Sequence, residues 1–289
     1  MKKRLLTVLT ALTLAVGMIG CGGSDGFNAD EEISIITRED GSGTRGAFIE
    51  LFGIEKKNEE GKKIDHTTDA ASITNSTSVM MTTVESDLYA IGYISLGSLN
   101  DTVKAVQIDG VTASVENIKN GSYSIYRPFN IAVKDGLSDV AQDFINYILS
   151  AEGQAVIEKA GYITVSENGA YASNGATGKI TVAGSSSVSP VMQKLKEAYL
   201  AVNANAEIEI LTSDSSTGMS NAIEGICDIG MASRAVKDSE KEKGLTEITI
   251  ANDGVAVIVN KENPVESMTK SQVEQIYTGV VTNWSDIVE

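Results

Sequence analysis

Cysteine, histidine and proline are scarce in this 289-residue chain, which has two Cys, one His and three Pro. Cys21, Cys227 and His66 cannot supply the four ligands of a Cys/His zinc site, so no metal centre is expected. One histidine also leaves little material for a Ser-His-Asp or Cys-His pair. Basic residues are outnumbered, 23 against 39 acidic ones, and the net charge of −16 excludes a basic surface for nucleic acid. No Walker A sequence, heptad array or low-complexity tract is present, and nothing calls for a cofactor. Hydrophobic residues make up 42% of the chain, enough for a sizeable core. At this length two lobes of roughly 100 to 150 residues are favoured over one.

The one long apolar run, Leu5 to Ile19, follows Lys2, Lys3 and Arg4. It is short for a membrane span and sized for the hydrophobic part of a secretory signal, so residues 1–20 read as a cleaved leader. Met18-Ile19-Gly20-Cys21 and the glycine-rich stretch after it resemble the lipobox and flexible tether of bacterial lipoproteins. That resemblance implies lipidation (palmitate) of Cys21, a tether over 21–29 and attachment to the outer face of the cell membrane. Cys227, in AIEGICDIGMA, is then left as a buried thiol.

Three segments share a pattern of β-branched run, Ser/Thr/Gly loop and helical spacing: ISIITREDGSGTRGAFIELF from Ile33, ITVAGSSSVSPVMQKLKEAYL from Ile180 and IEILTSDSSTGMSNAIEG from Ile208. In the second, Val191, Leu195, Ala198 and Val202 recur at steps of four and three, and Pro190 suits the first helical position. Strand–loop–helix units of this kind build α/β sheets with the loops at the carboxyl edge, where such sheets bind ligands. Further strands are expected from Tyr89, Tyr126 and Gly254, with helices over Val140–Lys159 and Lys270–Tyr277. Ser166–Gly178 has the composition of an exposed linker.

A helix that begins after a Ser/Gly loop offers unpaired N–H groups and the positive end of its dipole to an anion. Ser and Thr hydroxyls add donors without charge, and Arg38 or Arg45 beside GSGT can hold two oxygens at once. Any one loop alone is better explained as a helix cap. Three loops with an adjacent Arg point instead to a shared oxyanion site. Because the chain is strongly acidic, attraction must come from local dipoles and hydrogen bonds in a cleft. An enzyme reading is weak: Ser267-Met-Thr-Lys270 matches a Ser-x-x-Lys pattern but lacks its companion motifs, Thr269 with Gln272 reads as a capping box, and His66 sits in a polar loop.

Together, REDGSGTR, AGSSSVSP, SSTGMSNAI with DIGMASR, IYTGVVTNW and IGYIS resemble the phosphate-binding lipoproteins of Pst-type ABC transporters of Gram-positive bacteria, over nearly the whole mature chain. The resemblance implies a two-lobed periplasmic-binding-protein fold of type II, each lobe a mixed, mostly parallel sheet flanked by helices. It implies a monomer that closes on inorganic phosphate and passes it to the permease and ATPase subunits of an importer. Sulfate or molybdate is the rival ligand, and a sensor or adhesin without transport the rival role. In that family AGSSS comes first and TNW runs into the strand before GSGTR, so the order here looks circularly permuted. One lobe would be 30–122 plus 261–289 and the other 123–260, with the linker 166–178 inside it. The site carried over is Arg38, Ser42, Gly43 and Thr44 from one loop, Ser186 and Ser187 from the second and Ser215 from the third. Asp40 is expected to orient Arg38, and Arg45 is expected at the margin, pointing to solvent. Ser233 stands where some members have an aspartate that accepts the phosphate proton, which leaves Asp40, Asp214 and Asp253 as candidate acceptors.

Overall fold

The computed structural model of the chain describes residues 26–288. The leader and Cys21 lie outside the described residues. The elements run β1 (Ser34–Arg38), α1 (Gly43–Leu51), β2 (Glu55–Lys57), β3 (Lys63–Asp65), β4 (Ser72–Thr74), α2 (Thr77–Ser86), β5 (Ala90–Ser95), β6 (Val103–Ala105), β7 (Gln107–Ile108) and α3 (Val115–Lys119). They continue with β8 (Tyr126–Val133), α4 (Asp139–Leu149), α5 (Ala151–Lys159), β9 (Gly178–Ser185), α6 (Ser189–Val202), β10 (Ala206–Ser213), α7 (Ser215–Glu224), β11 (Ile229–Ala232) and α8 (Asp238–Lys241). The 15-residue β12 (Thr246–Asn260), β13 (Ser267–Met268) and α9 (Lys270–Tyr277) complete the chain.

The main sheet has the order β10-β9-β11-β8-β12-β5-β1-β4, with β6 also on β12. The outer trios β10-β9-β11 and β5-β1-β4 are parallel. The middle is antiparallel, because β12 pairs with β8 through Thr246–Gly254 and then with β5 and β6 through Val255–Asn260. One strand therefore belongs to both halves of a mixed α/β fold. Each half buries its own apolar cluster. Ile35, Phe48, Tyr93, Val257 and Trp284 lie in one, and Phe129, Phe144, Val182, Leu195 and Tyr199 in the other.

Tyr123, Ile125 and Val255–Val259 pack in the first cluster, whereas Phe129 and Ala251 pack in the second. The passage between halves is thus at 125/126 and 254/255, a little inside the expected boundaries at 122/123 and 260/261, because the apolar side chains at these strand ends face the first core. The expected tether also ends earlier than residue 29. Phe27 lies 5.5 Å from the Tyr89 ring and 5.8 Å from Trp284, so it packs on the fold.

The helix expected over Val140–Lys159 is two helices, parted at Ser150, whose hydroxyl caps the second by accepting from Gly153 N. Pro190 occupies the second helical position, not the first, since α6 opens at Ser189. The segment 166–178 is irregular but tied down: Tyr171 Oη donates to buried Asp143 at 2.6 Å, and Asn203 Nδ2 donates to Ala176 O at 2.9 Å. Thr269 and Gln272 form the expected capping box at the start of α9.

Candidate functional site

Packing beneath β1 fixes the end of that strand. Phe48 of α1 stacks on Tyr93 of β5 with centroids 3.8 Å apart. The buried Tyr93 phenol accepts from Arg38 N at 3.1 Å and pairs with Thr37 Oγ1 at 2.8 Å. Burial pushes that phenol up to about 12, so it stays protonated as a donor. Tyr277 Oη of α9 donates to Ile36 O at 3.0 Å. Two aromatic residues thus set where the Arg38 side chain starts.

Arg38 is 2% exposed. Its Nε and one terminal nitrogen donate to the two carboxylate oxygens of Glu39 at 2.8 and 2.7 Å, and the same terminal nitrogen reaches Ser186 Oγ at 3.2 Å. Glu39, not Asp40, is therefore the carboxylate that orients Arg38. Asp40 is almost fully exposed and pairs with Arg45 at 2.6 Å. Arg45 does not point to solvent either: it donates to Arg38 O at 3.0 Å and to Asp65 at 2.8 Å, which pins the turn before α1. Burial alone would raise Asp65, but hydrogen bonds from Thr67 and the Arg45 charge hold it below the usual carboxylate range.

The three serine-bearing loops meet, and a fourth joins them. Ser42 caps α1 by accepting from Arg45 N at 3.3 Å. Thr44, in the first turn, pairs with Ser187 Oγ at 2.8 Å and with Ser233 Oγ at 3.5 Å across the cleft. Ser215, which opens α7, lies 3.4 Å from Ser233 Oγ and accepts from Ser233 N at 3.1 Å. The fourth loop precedes α2: Thr77 N donates to Ser186 Oγ at 3.3 Å, and Thr77 Oγ1 pairs with Ser187 Oγ at 3.1 Å. Ser185 donates to Ser233 at 3.0 Å. All these side chains are buried.

Gly43 makes this closeness possible. A Cβ there would lie 2.5 Å from Ser215 Oγ and 2.8 Å from Ser233 Oγ. Gly41 O accepts from Ser216 N at 3.2 Å, a second backbone contact between the halves. A groove of about 1130 Å³ runs beside α1 and reaches Ser42, Arg127, Ser216 and Arg234 at the margin of the cluster. The hydroxyl cluster itself is closed by its own hydrogen bonds, so this groove and the convergent donors adjoin without coinciding.

Among the described residues, no carboxylate is hydrogen-bonded to these hydroxyls; Glu39 reaches them only through Arg38. Asp214 caps α7 by accepting from Thr217 N and Oγ1 at 2.9 and 2.6 Å. Asp253 is buried at the strand crossing, 3.2 Å from Arg127. The donor-rich chemistry suits an oxyanion. No group of His, Cys, Asp and Glu among the described residues could hold a metal ion.

Cys227 is buried, and burial pushes its thiol up to about 11, far from a reactive thiolate. His66 is exposed, and Ser267 lies in β13 opposite Gln107, away from the hydroxyl cluster. Sequence reasoning missed Thr77 and Ser185. The signal for Thr77 was there in SITNSTSVMM, the same strand–loop–helix pattern with a strand of only three residues.

A family model described as "PBP superfamily domain" matches residues 24–152 and 169–288. The chain is 54% identical over 291 aligned residues to "Phosphate-binding protein PstS 2" of Streptococcus agalactiae, covering 99% of each chain. It is 42% identical to the protein of that name from Streptococcus pneumoniae, again over 99% of each. A crystal structure of a phosphate ABC transporter, phosphate-binding protein from Streptococcus pneumoniae TIGR4 superposes with a TM-score of 0.69 at 43% identity, covering 89% of this chain and 100% of that one. With the fold, the converging loops and this end-to-end similarity, the chain belongs to the PBP superfamily and, within it, to the Pst-type phosphate-binding proteins.

Proposed function

We propose that the protein captures inorganic phosphate outside the cytoplasmic membrane and delivers it to the permease of an ABC importer, whose ATPase subunits do the only chemistry. The single observation that carries this reading is the buried cluster of hydroxyls at the starts of α1, α2 and α7 and beside α6, with the Glu39-oriented Arg38 at its edge. At present the hydroxyls satisfy one another. A tetrahedral oxyanion would replace neutral hydroxyl–hydroxyl bonds with charge-assisted ones, which are roughly twice as strong. Residues proposed to contact it are Arg38, Ser42, Gly43, Thr44, Thr77, Ser186, Ser187, Ser215 and Ser233. No nucleophile with an adjacent base occurs in the cluster, which favours binding without turnover.

Lipidation at Cys21 and attachment to the cell membrane rest on the Met18–Cys21 motif. No helix among the described residues is long and apolar enough to cross a membrane. The rearranged segment order is supported by the meeting of the two chain ends: Ile33 N donates to Thr282 O at 2.8 Å, and Asn283 Nδ2 to Asp30 O at 2.8 Å. The streptococcal relatives align end to end, so that order is not peculiar to this gene.

Calorimetry of the leader-free protein with phosphate, sulfate and molybdate at neutral pH tests the reading. Binding of phosphate in preference to the other two is expected. Tighter binding of sulfate or molybdate, or no binding to any of the three, would overturn it.

A further inference from the structure

Arg234 ends the DIGMASR segment, directly after Ser233 of the hydroxyl cluster, yet it is not among the groups proposed to touch the anion. Both of its ends are held. Its carbonyl accepts from buried Asn130 Nδ2 at 3.0 Å. Its two terminal nitrogens donate to the two carboxylate oxygens of Glu240, in α8, at 2.9 and 2.8 Å, and the two side chains are only 12% and 13% exposed. Burial alone would raise Glu240, but hydrogen bonds from Arg234 and Lys237 N hold it below the usual carboxylate range, so the pair stays ionised at neutral pH. A fork of this kind fixes the orientation of the guanidinium as well as its charge.

The fixed guanidinium reaches the start of α7. Its Nη2 also donates to Ser216 Oγ at 3.3 Å, and Ser216 N donates to Gly41 O at 3.2 Å, from the second half of the molecule to the first. Ser216 follows Ser215, which accepts from Ser233 N, so the same two segments supply both the hydroxyl cluster and this contact. Gly41 is closely seated there, because a Cβ would overlap the Asp214 carboxylate that caps α7. On the other side Arg45 braces the turn that carries Gly41, through Arg38 O, Asp40 and Asp65. Two guanidiniums, one from each half, therefore flank one backbone contact, and both line the groove beside α1. Since the hydroxyls are buried, an anion held among them can leave only as the halves part, and parting breaks the Ser216–Gly41 bond.

We propose that Arg234 is a positioning residue of the cleft: oriented by Glu240, it holds Ser216 so that the start of α7 clasps Gly41, and this clasp sets how fast the captured anion is released. Arg234 acts through Ser216 and does not touch the anion. The inference rests on the phosphate reading for its ligand but not for the clasp itself. A contact made only when the halves are apposed favours that arrangement by its own free energy, so its loss speeds opening. Encounter of the anion with the cleft precedes the contact, so capture is little affected.

The test separates release from capture. In a chase with unlabelled phosphate, Arg234→Ala should release radiolabelled inorganic phosphate about three- to tenfold faster than wild type, with an association rate within about twofold. Ser216→Ala, which deletes only a hydroxyl, should act in the same direction, and the double variant should release no faster than Arg234→Ala, because both changes act through one contact. Arg234→Lys keeps the charge but cannot make the fork and the Ser216 bond together, so it should not restore wild-type release. In the anion-free full chain, the Ser216 amide should exchange with solvent about three- to tenfold faster in Arg234→Ala, while amides of β9 match wild type. A merely structural role would speed exchange across the second core, or slow capture as much as it speeds release. Either result excludes the clasp, as do additive effects of the two single changes or unchanged exchange at Ser216. Failure of wild type to hold phosphate would overturn the ligand reading, and the anion-free exchange would still judge this one.

Discussion

Arg38 and Glu39, adjacent in sequence, are joined by two side-by-side N–H···O bonds of 2.8 and 2.7 Å at the edge of the hydroxyl cluster. Neighbouring residues on a strand point to opposite faces. They meet here because Glu39 lies just past the end of β1, where the chain turns toward Ser42. The fork leaves one terminal nitrogen of Arg38 shared with Ser186 of the other half. Arg38→Ala should therefore weaken phosphate binding by about 2 to 5 kcal/mol, and Glu39→Gln, which keeps a neutral acceptor, by about 1 to 2 kcal/mol. Calorimetry of the two variants checks the order; wild-type affinity in Glu39→Gln would mean that the Glu39 charge does not matter for orientation.

Gly43→Ala should block the approach of α1 to Ser215 and Ser233, because its Cβ would fall at 2.5 and 2.8 Å from their hydroxyl oxygens. Overpacking of this kind costs about 1 to 3 kcal/mol. It falls on the contact between halves, so phosphate affinity should drop while each core stays folded. Titration beside a thermal melt distinguishes this from general destabilisation.

Ser233→Asp should sharpen anion selectivity. Ser233 Oγ lies 3.0 to 3.5 Å from the hydroxyls of Ser185, Ser215 and Thr44, so a carboxylate there would face the anion. Sulfate, with no proton to donate, would be repelled, whereas protonated phosphate can hydrogen-bond to it. Competition between sulfate and phosphate should shift toward phosphate by at least about tenfold, since juxtaposed like charges cost several kcal/mol.

Asp253 should leave a signature in stability against pH. Burial pushes its carboxyl up to about 6, despite the opposing pull of Arg127, Ser95 and Gly97. In the unfolded chain it titrates near 3.8, so between about pH 4 and 6 the folded form holds the proton more tightly. Its contribution is thus most favourable in acid, declines as pH rises through that window and is level above it, by at most about 3 kcal/mol in all. Asp253→Asn should remove this decline, which is read as the difference between wild-type and variant urea midpoints at pH 4 and 7.

Much of the fold was legible because three strand–loop–helix units repeat one pattern, and in each the strand is long enough to show. β4 has only three residues, so the loop that brings Thr77 to the site went unrecognised, although its Ser/Thr content is like that of the others. The choice between Glu39 and Asp40 as partner of Arg38 depends on the turn at the end of β1, which spacing does not specify. Asp40 instead joins Arg45 and Asp65, and Asp65 comes from a strand no periodicity had suggested. The place where β12 passes from one half to the other was misjudged for a related reason. The apolar strand expected from Gly254 shows no break in sequence that assigns Val255 to Val259 to one lobe or the other, and only the packing tells which core they enter.

The contact between Ala29–Ile33 and Thr282–Ser285 has a topological consequence. With both ends of the described residues at one corner, a short peptide bridge between them would turn this part of the polypeptide into a ring. New termini could then be opened within 166–177 while keeping every buried contact around Arg38. Such a re-threaded molecule should trap the same solute, and its two ends would leave from the opposite core.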